Sequence, residues 1–174
     1  MNPTPKPETF LSDMVVAGQE LCPWDTGAAV IELQELLNAH GFTLRLDGDF
    51  GSRTETAVRL YQRQHHIKVD GIVGAKTWAA LRTTVQAGTR TLRQGYTGAD
   101  VYELQGLLKV HGYNVQRNGI FNEETHQAIA TFQHKYHLTP TGIVNPTTWT
   151  ALRERSLPTP PKQSFWYFNL GRWW

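Results

Sequence analysis

Residues 21–83 can be laid over residues 92–154 without a gap, at a constant offset of 71, and 26 of the 63 paired positions are identical. AVIELQELLNAHGF (29–42) falls on DVYELQGLLKVHGY (100–113), and GIVGAKTWAALR (71–82) falls on GIVNPTTWTALR (142–153). Such a chain folds one small unit twice. The two copies take 126 of the 174 residues and leave twenty before, eight between and twenty after. None of these remainders approaches the roughly 40 residues below which a core rarely forms without staples. Any reaction chemistry would therefore have to come from the repeats themselves. The layout expected is an extended arm over 1–20, a first module over 21–83, a linker over 84–91, a second module over 92–155, and a Pro-rich spacer with an aromatic tail over 156–174.

Each copy carries three helical patterns, so the fold class expected is all-α: two tandem three-helix modules with short turns and extended termini. Val30, Leu33, Leu36 and Leu37 recur at helical spacing, as do Val101, Leu104, Leu107 and Leu108. Thr26-Gly27 and Thr97-Gly98 are the N-cap candidates before them, and Gly41 and Gly112 the stops after them. The second pattern is Thr54, Ala57, Val58 and Tyr61, matched by Thr125, Ala128, Ile129 and Phe132. Ser52-x-x-Glu55 reads as a capping box in the first copy, and Asn122 as the cap in the second. A short third helix is expected over 75–82 and 146–153, where Asn145-Pro146 is a cap followed by Pro at the first helical position. Gly51 becomes Asn122 and Gly74 becomes Asn145, which fits either a left-handed backbone or a cap. Gly48, Gly119, Gly71 and Gly142 stay glycine, which predicts turns of positive φ. Trp78 and Trp149 are expected in the cores.

Composition removes several function classes. Seventeen Lys and Arg against fifteen Asp and Glu give a net charge of +2, without the clustered basic face of a nucleic-acid binder. No run reaches the roughly 18 apolar residues of a membrane span. Cys22 is the single cysteine, so neither an intrachain disulfide nor a two-cysteine metal site is available.

These residues carry a resemblance. The pattern Gly-x-x-Val-x-x-Leu-Gln-x-Leu-Leu, Gly, Asp-Gly-x-Phe-Gly-x-x-Thr, Ala-Val-x-x-Tyr-Gln, Asp-Gly-Ile-Val-Gly-x-x-Thr-Trp resembles the type 1 peptidoglycan-binding domain family. The first copy shows it from Gly27 to Trp78, and the second from Gly98 to Trp149. The resemblance implies a three-helix fold and a bacterial cell-wall ligand, glycan or stem peptide. The second copy departs at both acidic turns, with Asn118 for Asp47 and Thr141 for Asp70, so it is expected to bind differently if those carboxylates touch ligand.

Gln34, Gln62, Gln105 and Gln133 follow apolar residues on helices, and each amide is read as holding a neighbouring loop. Asp47 and Asp70 precede glycine, where Asp commonly bonds its own backbone. They vanish in the duplicate and make no acid–base pair, so no catalytic residue is assigned. Of seven histidines, His40 and His111 sit just before the helix-stopping glycines and need no metal there, and His66 matches His137 across the repeat without acidic residues at ligand spacing. No metal and no cofactor is expected. For ligand contact the groups to examine are Arg53, Arg59, Arg63, Asp70 and Lys76, whose charges can meet stem-peptide groups. Tyr113, with Phe42 at the equivalent position, either stacks on sugar or packs in the core.

The end of the chain, FWYFNLGRWW, follows a stiff Pro-rich spacer. Phe165, Trp166, Tyr167, Phe168, Trp173 and Trp174 read as a docking peptide for a partner. The start has Pro and Glu where a signal peptide carries basic and apolar regions, which predicts no usual export signal. Two functions follow. One is a non-catalytic wall-binding protein at the envelope, exported by another route or processed. The other is a cytoplasmic adaptor in a large assembly that reuses the fold and docks through its tail.

Overall fold

The computed structural model describes residues 18–154; the first 17 residues and the aromatic tail with Phe165 to Trp174 lie outside the described residues. Within that span the elements are helices: α1 (Ala28–Ala39), α2 (Ser52–Gln64), α3 (Ala75–Thr84), α4 (Ala99–Val110), α5 (Glu123–Lys135) and α6 (Pro146–Glu154). No strand longer than an isolated bridge occurs among the described residues.

Each core is filled from the apolar faces of its own three helices. Val30, Leu33, Leu36 and Leu37 of α1 meet Val58 and Tyr61 of α2 and Trp78 and Leu81 of α3, all essentially without solvent contact. Val101, Leu104, Leu108, Ile129, Phe132, Trp149 and Leu152 build the second core in the same way. Burial of one such side chain is worth roughly 1.5–3 kcal/mol, the main force available to a unit this small. Antiparallel bridges tie the loops at equivalent places: Leu21 to Val73 and Thr26 to Asp49, then Leu92 to Val144 and Thr97 to Ile120.

The helix boundaries follow local chemistry, with one correction. Gly41 and Gly112 stop α1 and α4 at φ of 92° and 87°, a backbone that glycine adopts without penalty. Asn122 Oδ1 accepts from Thr125 N at 2.9 Å, and Asn145 Oδ1 from Thr148 N at 2.9 Å, so both asparagines are caps rather than left-handed residues. The Ser52–Glu55 capping box does not form. Gly51 is the cap, extended at φ −75°, and its carbonyl accepts from Glu55 N. Ser52 is already the first helical residue, and Glu55 binds Arg59 instead. Of the candidate pairs Thr26-Gly27 and Thr97-Gly98, the glycines occupy the cap positions of α1 and α4, without a side-chain cap bond.

The segment between the modules is built into both. Val85 belongs to the first core and Ala87 packs on the second. Arg90 is buried, its Nε 2.7 Å from Asp100 Oδ2 and its Nη2 3.1 Å from the Thr97 carbonyl. Glu32 of α1 meets Arg82 at 3.1 Å and lies 3.9 Å from Arg90. Glu35 meets Arg93 at 3.0 Å and accepts a hydrogen bond from the Tyr96 hydroxyl. Three guanidinium groups thus face three carboxylates where the modules join. A buried pair of this kind fixes geometry more than it adds stability.

Candidate functional site

One local device recurs four times. Gln34 projects from α1 into the loop ahead of α2, where its Oε1 accepts from Gly48 N at 3.0 Å. Its Nε2 donates to Asp47 Oδ1, the Asp49 carbonyl and Thr54 Oγ1. Gln62 does the same from α2 to the loop ahead of α3, with Gly71 N, Asp70 Oδ1, the Ile72 carbonyl and Thr77 Oγ1. Gln105 repeats it with Asn118, Gly119, Ile120 and Thr125. Gln133 repeats it with Gly142, Ile143 and Thr148. All four amides are buried, and buried polar groups of this kind need their full set of partners. The glutamines hold loops, as the sequence predicts.

Clefts lie beside the loops held by Gln34, Gln62 and Gln133. Below α3 of the first module a cleft of about 400 Å³ is lined by Glu20, Lys68, Asp70 and Lys76, with Gln62 and Thr77 at its floor. The equivalent cleft of the second module, about 230 Å³, has Thr139, Thr141 and Thr147 in the places of Lys68, Asp70 and Lys76, and Asn145 in that of Gly74. Two ammonium groups and a carboxylate therefore become neutral hydroxyls at the same position of the fold, and the counterpart of Glu20 is Thr91. A further cleft of about 320 Å³ lies ahead of α2, lined by Arg45, Asp47, Asp49, Ser52 and Arg53 over Gln34.

The acidic turns are held in the charged state. Asp47 is shifted below the usual carboxylate range by the Gln34 amide and the Asp49 N–H that donate to it. Asp70 is shifted down by the Ile72 N–H first, with Gln62 and Lys68 adding to it. In the second module Asn118 Oδ1 takes the place of the Asp47 oxygen, keeping the bond from Gln105. Thr141 accepts only from Ile143 N, at 3.2 Å, so there the bond to the glutamine is lost.

The predicted contact residues separate into groups. Asp70 and Lys76 line one cleft and Arg53 the other. Arg59 is pinned by Glu55 at 2.9 Å and lies against Gly71, where a Cβ would stand 2.9 Å from its Nε. Arg63 is exposed in the last turn of α2. Tyr113 is half-buried, packs on the second core and faces Phe132 edge-on, which favours the core reading over a sugar platform. Among the described residues no group of three His, Cys, Asp or Glu side chains is placed to hold a metal. His40 Nε2 lies 3.1 Å from the Leu81 carbonyl and His111 Nε2 2.9 Å from that of Leu152, so these two tie the end of the first helix to the third.

Sequence reasoning passed over Glu20, Lys68 and, most of all, Trp24. Trp24 has a φ of 80° and is 78% exposed, on a turn fixed by Trp24 N to the Phe50 carbonyl and Cys22 N to Asp25 Oδ2. A bulky residue there is a conformational outlier costing roughly 1–2 kcal/mol. The second module has Gly95 at this position, at φ 93°.

Comparison with known proteins agrees with the duplication. The profile of the family described as "Putative peptidoglycan binding domain" matches residues 26–81 and again 97–152. The N-acetylmuramoyl-L-alanine amidase CwlM of Mycobacterium tuberculosis is 33% identical over 152 residues, covering 78% of this chain and 37% of that protein. A spore cortex-lytic enzyme of Bacillus cereus is 38% identical over 86 residues, covering 45% of this chain and 33% of the enzyme. The chain thus spans about a third of the length of these relatives. Among solved structures, a peptidoglycan-binding protein from Clostridioides difficile in complex with glutamine hydroxamate is 35% identical, with a TM-score of 0.40 over 41% of this chain and 45% of that one.

Proposed function

We propose that this chain, which belongs to the peptidoglycan binding domain family through both of its modules, holds bacterial cell wall at the envelope without cleaving it. The observation that carries the reading is the charged cleft of the first module, with Glu20, Asp70, Lys68 and Lys76 around one opening. Paired ammonium and carboxylate groups suit a ligand bearing both signs, as a stem peptide with free amino and carboxyl groups does. The Gln62 anchor fixes the floor of that cleft before ligand arrives, so little ordering is needed on binding. The neutral second cleft takes part in a different contact, since it has no charge to offer such a ligand.

The non-catalytic part of the reading is supported by what the acidic side chains do. Asp47 and Asp70 each use an oxygen to hold a loop, and the duplicate does without both carboxylates. A general acid or base needs the opposite: a free proton-transfer position and a pKa moved toward neutrality.

Sedimentation with purified sacculi tests the proposal. The full chain is expected in the pellet, and Asp70→Thr with Lys76→Thr, the residues of the second module, is expected to weaken the association about tenfold. Recovery of the unaltered chain wholly in the supernatant would sink the reading, and release of soluble wall fragments would sink its non-catalytic half.

A further inference from the structure

Trp24 gives the core nothing. It is 78% exposed, it sits at φ 80°, and its counterpart Gly95 fills the same turn without strain. Backbone strain of this kind, kept in one copy and absent from the other, clusters at functional sites. Its turn is fastened to the cleft ahead of α2: Trp24 N donates to the carbonyl of Phe50, and Thr26 bridges Asp49, so Phe50's neighbours Asp49 and Gly51 carry the turn beside the cleft they line. That cleft offers Arg45, Arg53, Asp47, Asp49 and Ser52, a ring of hydrogen-bonding groups in place of an apolar socket. The adjoining surface, over Phe42, Leu44, Ala57 and Leu60, is apolar and continues from the same Leu44, Ser52 and Arg53.

We propose that Trp24 is a sugar-stacking platform and that, with the Asp47–Arg53 cleft beside it, it forms a glycan subsite confined to the first module. A pyranose ring has a face of C–H groups that lies flat on an indole, and a rim of hydroxyl and acetamido groups that needs charged or polar partners. An exposed indole on a turn whose backbone is bonded to Phe50, between the cleft residues Asp49 and Gly51, brings both within reach of one sugar chain. The second module lacks the site: Gly95 replaces Trp24, Gln116 replaces Arg45 and Glu124 replaces Arg53. The assignment rests on the wall-binding reading for the identity of the glycan, and it adds a sugar contact distinct from the charged cleft at Asp70 and Lys76.

The test uses the full chain, a β-1,4-linked N-acetylglucosamine oligomer and a free stem peptide as separate probes. Trp24→Gly installs the residue of the second module and removes the strain, so its thermal midpoint is expected to be equal or higher. Its affinity for the oligomer is expected to fall on the order of tenfold, with Trp24→Phe retaining most of it. In the unaltered chain the indole N–H resonance that Trp24→Gly deletes is expected to shift with the oligomer and to stay in place with the peptide. An unmoved indole resonance, or equal oligomer affinity in Trp24→Gly, overturns the proposal. If Trp24→Gly is poorly folded, Trp24→Phe and the resonance of the unaltered chain decide it. Sedimentation with sacculi separates the two readings: loss for the unaltered chain removes wall binding, while full retention by Trp24→Gly beside loss in the Asp70→Thr, Lys76→Thr variant removes only the Trp24 subsite.

Discussion

The two modules share a skeleton and differ in how they finish it. The first leaves α2 and α3 capped by glycines and surrounds its loops with charge. The second caps α5 and α6 with Asn122 and Asn145 and makes the loop ahead of α6 neutral. In the first, Gly18 and Gln19 close over the core: Trp78 Nε1 donates to the Gln19 carbonyl at 2.9 Å. In the second, the position of Gln19 is taken by Arg90, which is buried against Asp100, and Trp149 Nε1 has no partner among the described residues. The copies agree where the fold requires it, at the glutamines, the turn glycines and the core. They diverge at the clefts beside the loops and at the junction between the modules.

Four experiments break or sharpen that contrast. The largest effect belongs to the junction. Asp100→Ala leaves the Arg90 guanidinium buried without its carboxylate and is expected to cost about 3–5 kcal/mol. An unchanged midpoint in denaturant unfolding would show that the pair carries no such weight.

Next come the loop anchors. Gln62→Ala and Gln133→Ala each orphan a buried glycine N–H and a carbonyl, for about 2 kcal/mol or more. Gln62 has the additional Asp70 partner that Gln133 lacks, so its removal is expected to cost about 1 kcal/mol more. Equal losses in chemical denaturation would deny the Asp70 contact any weight.

A smaller gain is expected from giving the first module the caps of the second. At Gly51 and Gly74 φ is −75° and −85°, and an added Cβ meets nothing closer than 3.7 Å. Gly51→Asn and Gly74→Asn should each stabilise by a few tenths of a kcal/mol. A lowered thermal midpoint for either would contradict the cap assignment.

The smallest effect is acid sensitivity. The folded pKa values of Asp47 and Asp70 are depressed, so the stabilisation they provide is complete above the ordinary carboxylate pKa and is lost as pH falls through the lowered values. Amide protection at Gly48 and Gly71 should therefore weaken in that window, while Gly119 and Gly142, held beside Asn118 and Thr141, keep theirs. Parallel loss in both modules would assign the acid response elsewhere.

Much of the fold could be read from the sequence because the repeat supplies an internal check. Apolar spacing and the paired stops at Gly41 and Gly112 located the helices, and the glutamines' position after apolar residues pointed to buried amides. The junction was not legible. Arg90, Asp100, Glu35 and Tyr96 are ordinary surface types until the chain places them together, and their signal lies in the positions where the copies disagree. Asp100 stands against Ala29, Tyr96 against Asp25, and Glu35 against Gly106. Trp24 against Gly95 gave the same kind of signal, since glycine in one copy flagged a backbone that tryptophan tolerates poorly. The capping box failed for a related reason: Gly51 took the cap position, and the side-chain pattern alone could not say which residue began the helix.

Glu35 of the first module, clasped by Arg93 and Tyr96 of the second, has a consequence for how the two halves tumble. The Arg93 side chain is 44% exposed and its ion pair is open to salt, whereas Arg90 and Asp100 are shut away from it. Rising ionic strength therefore slackens the clasp between the halves and leaves the interior of each intact.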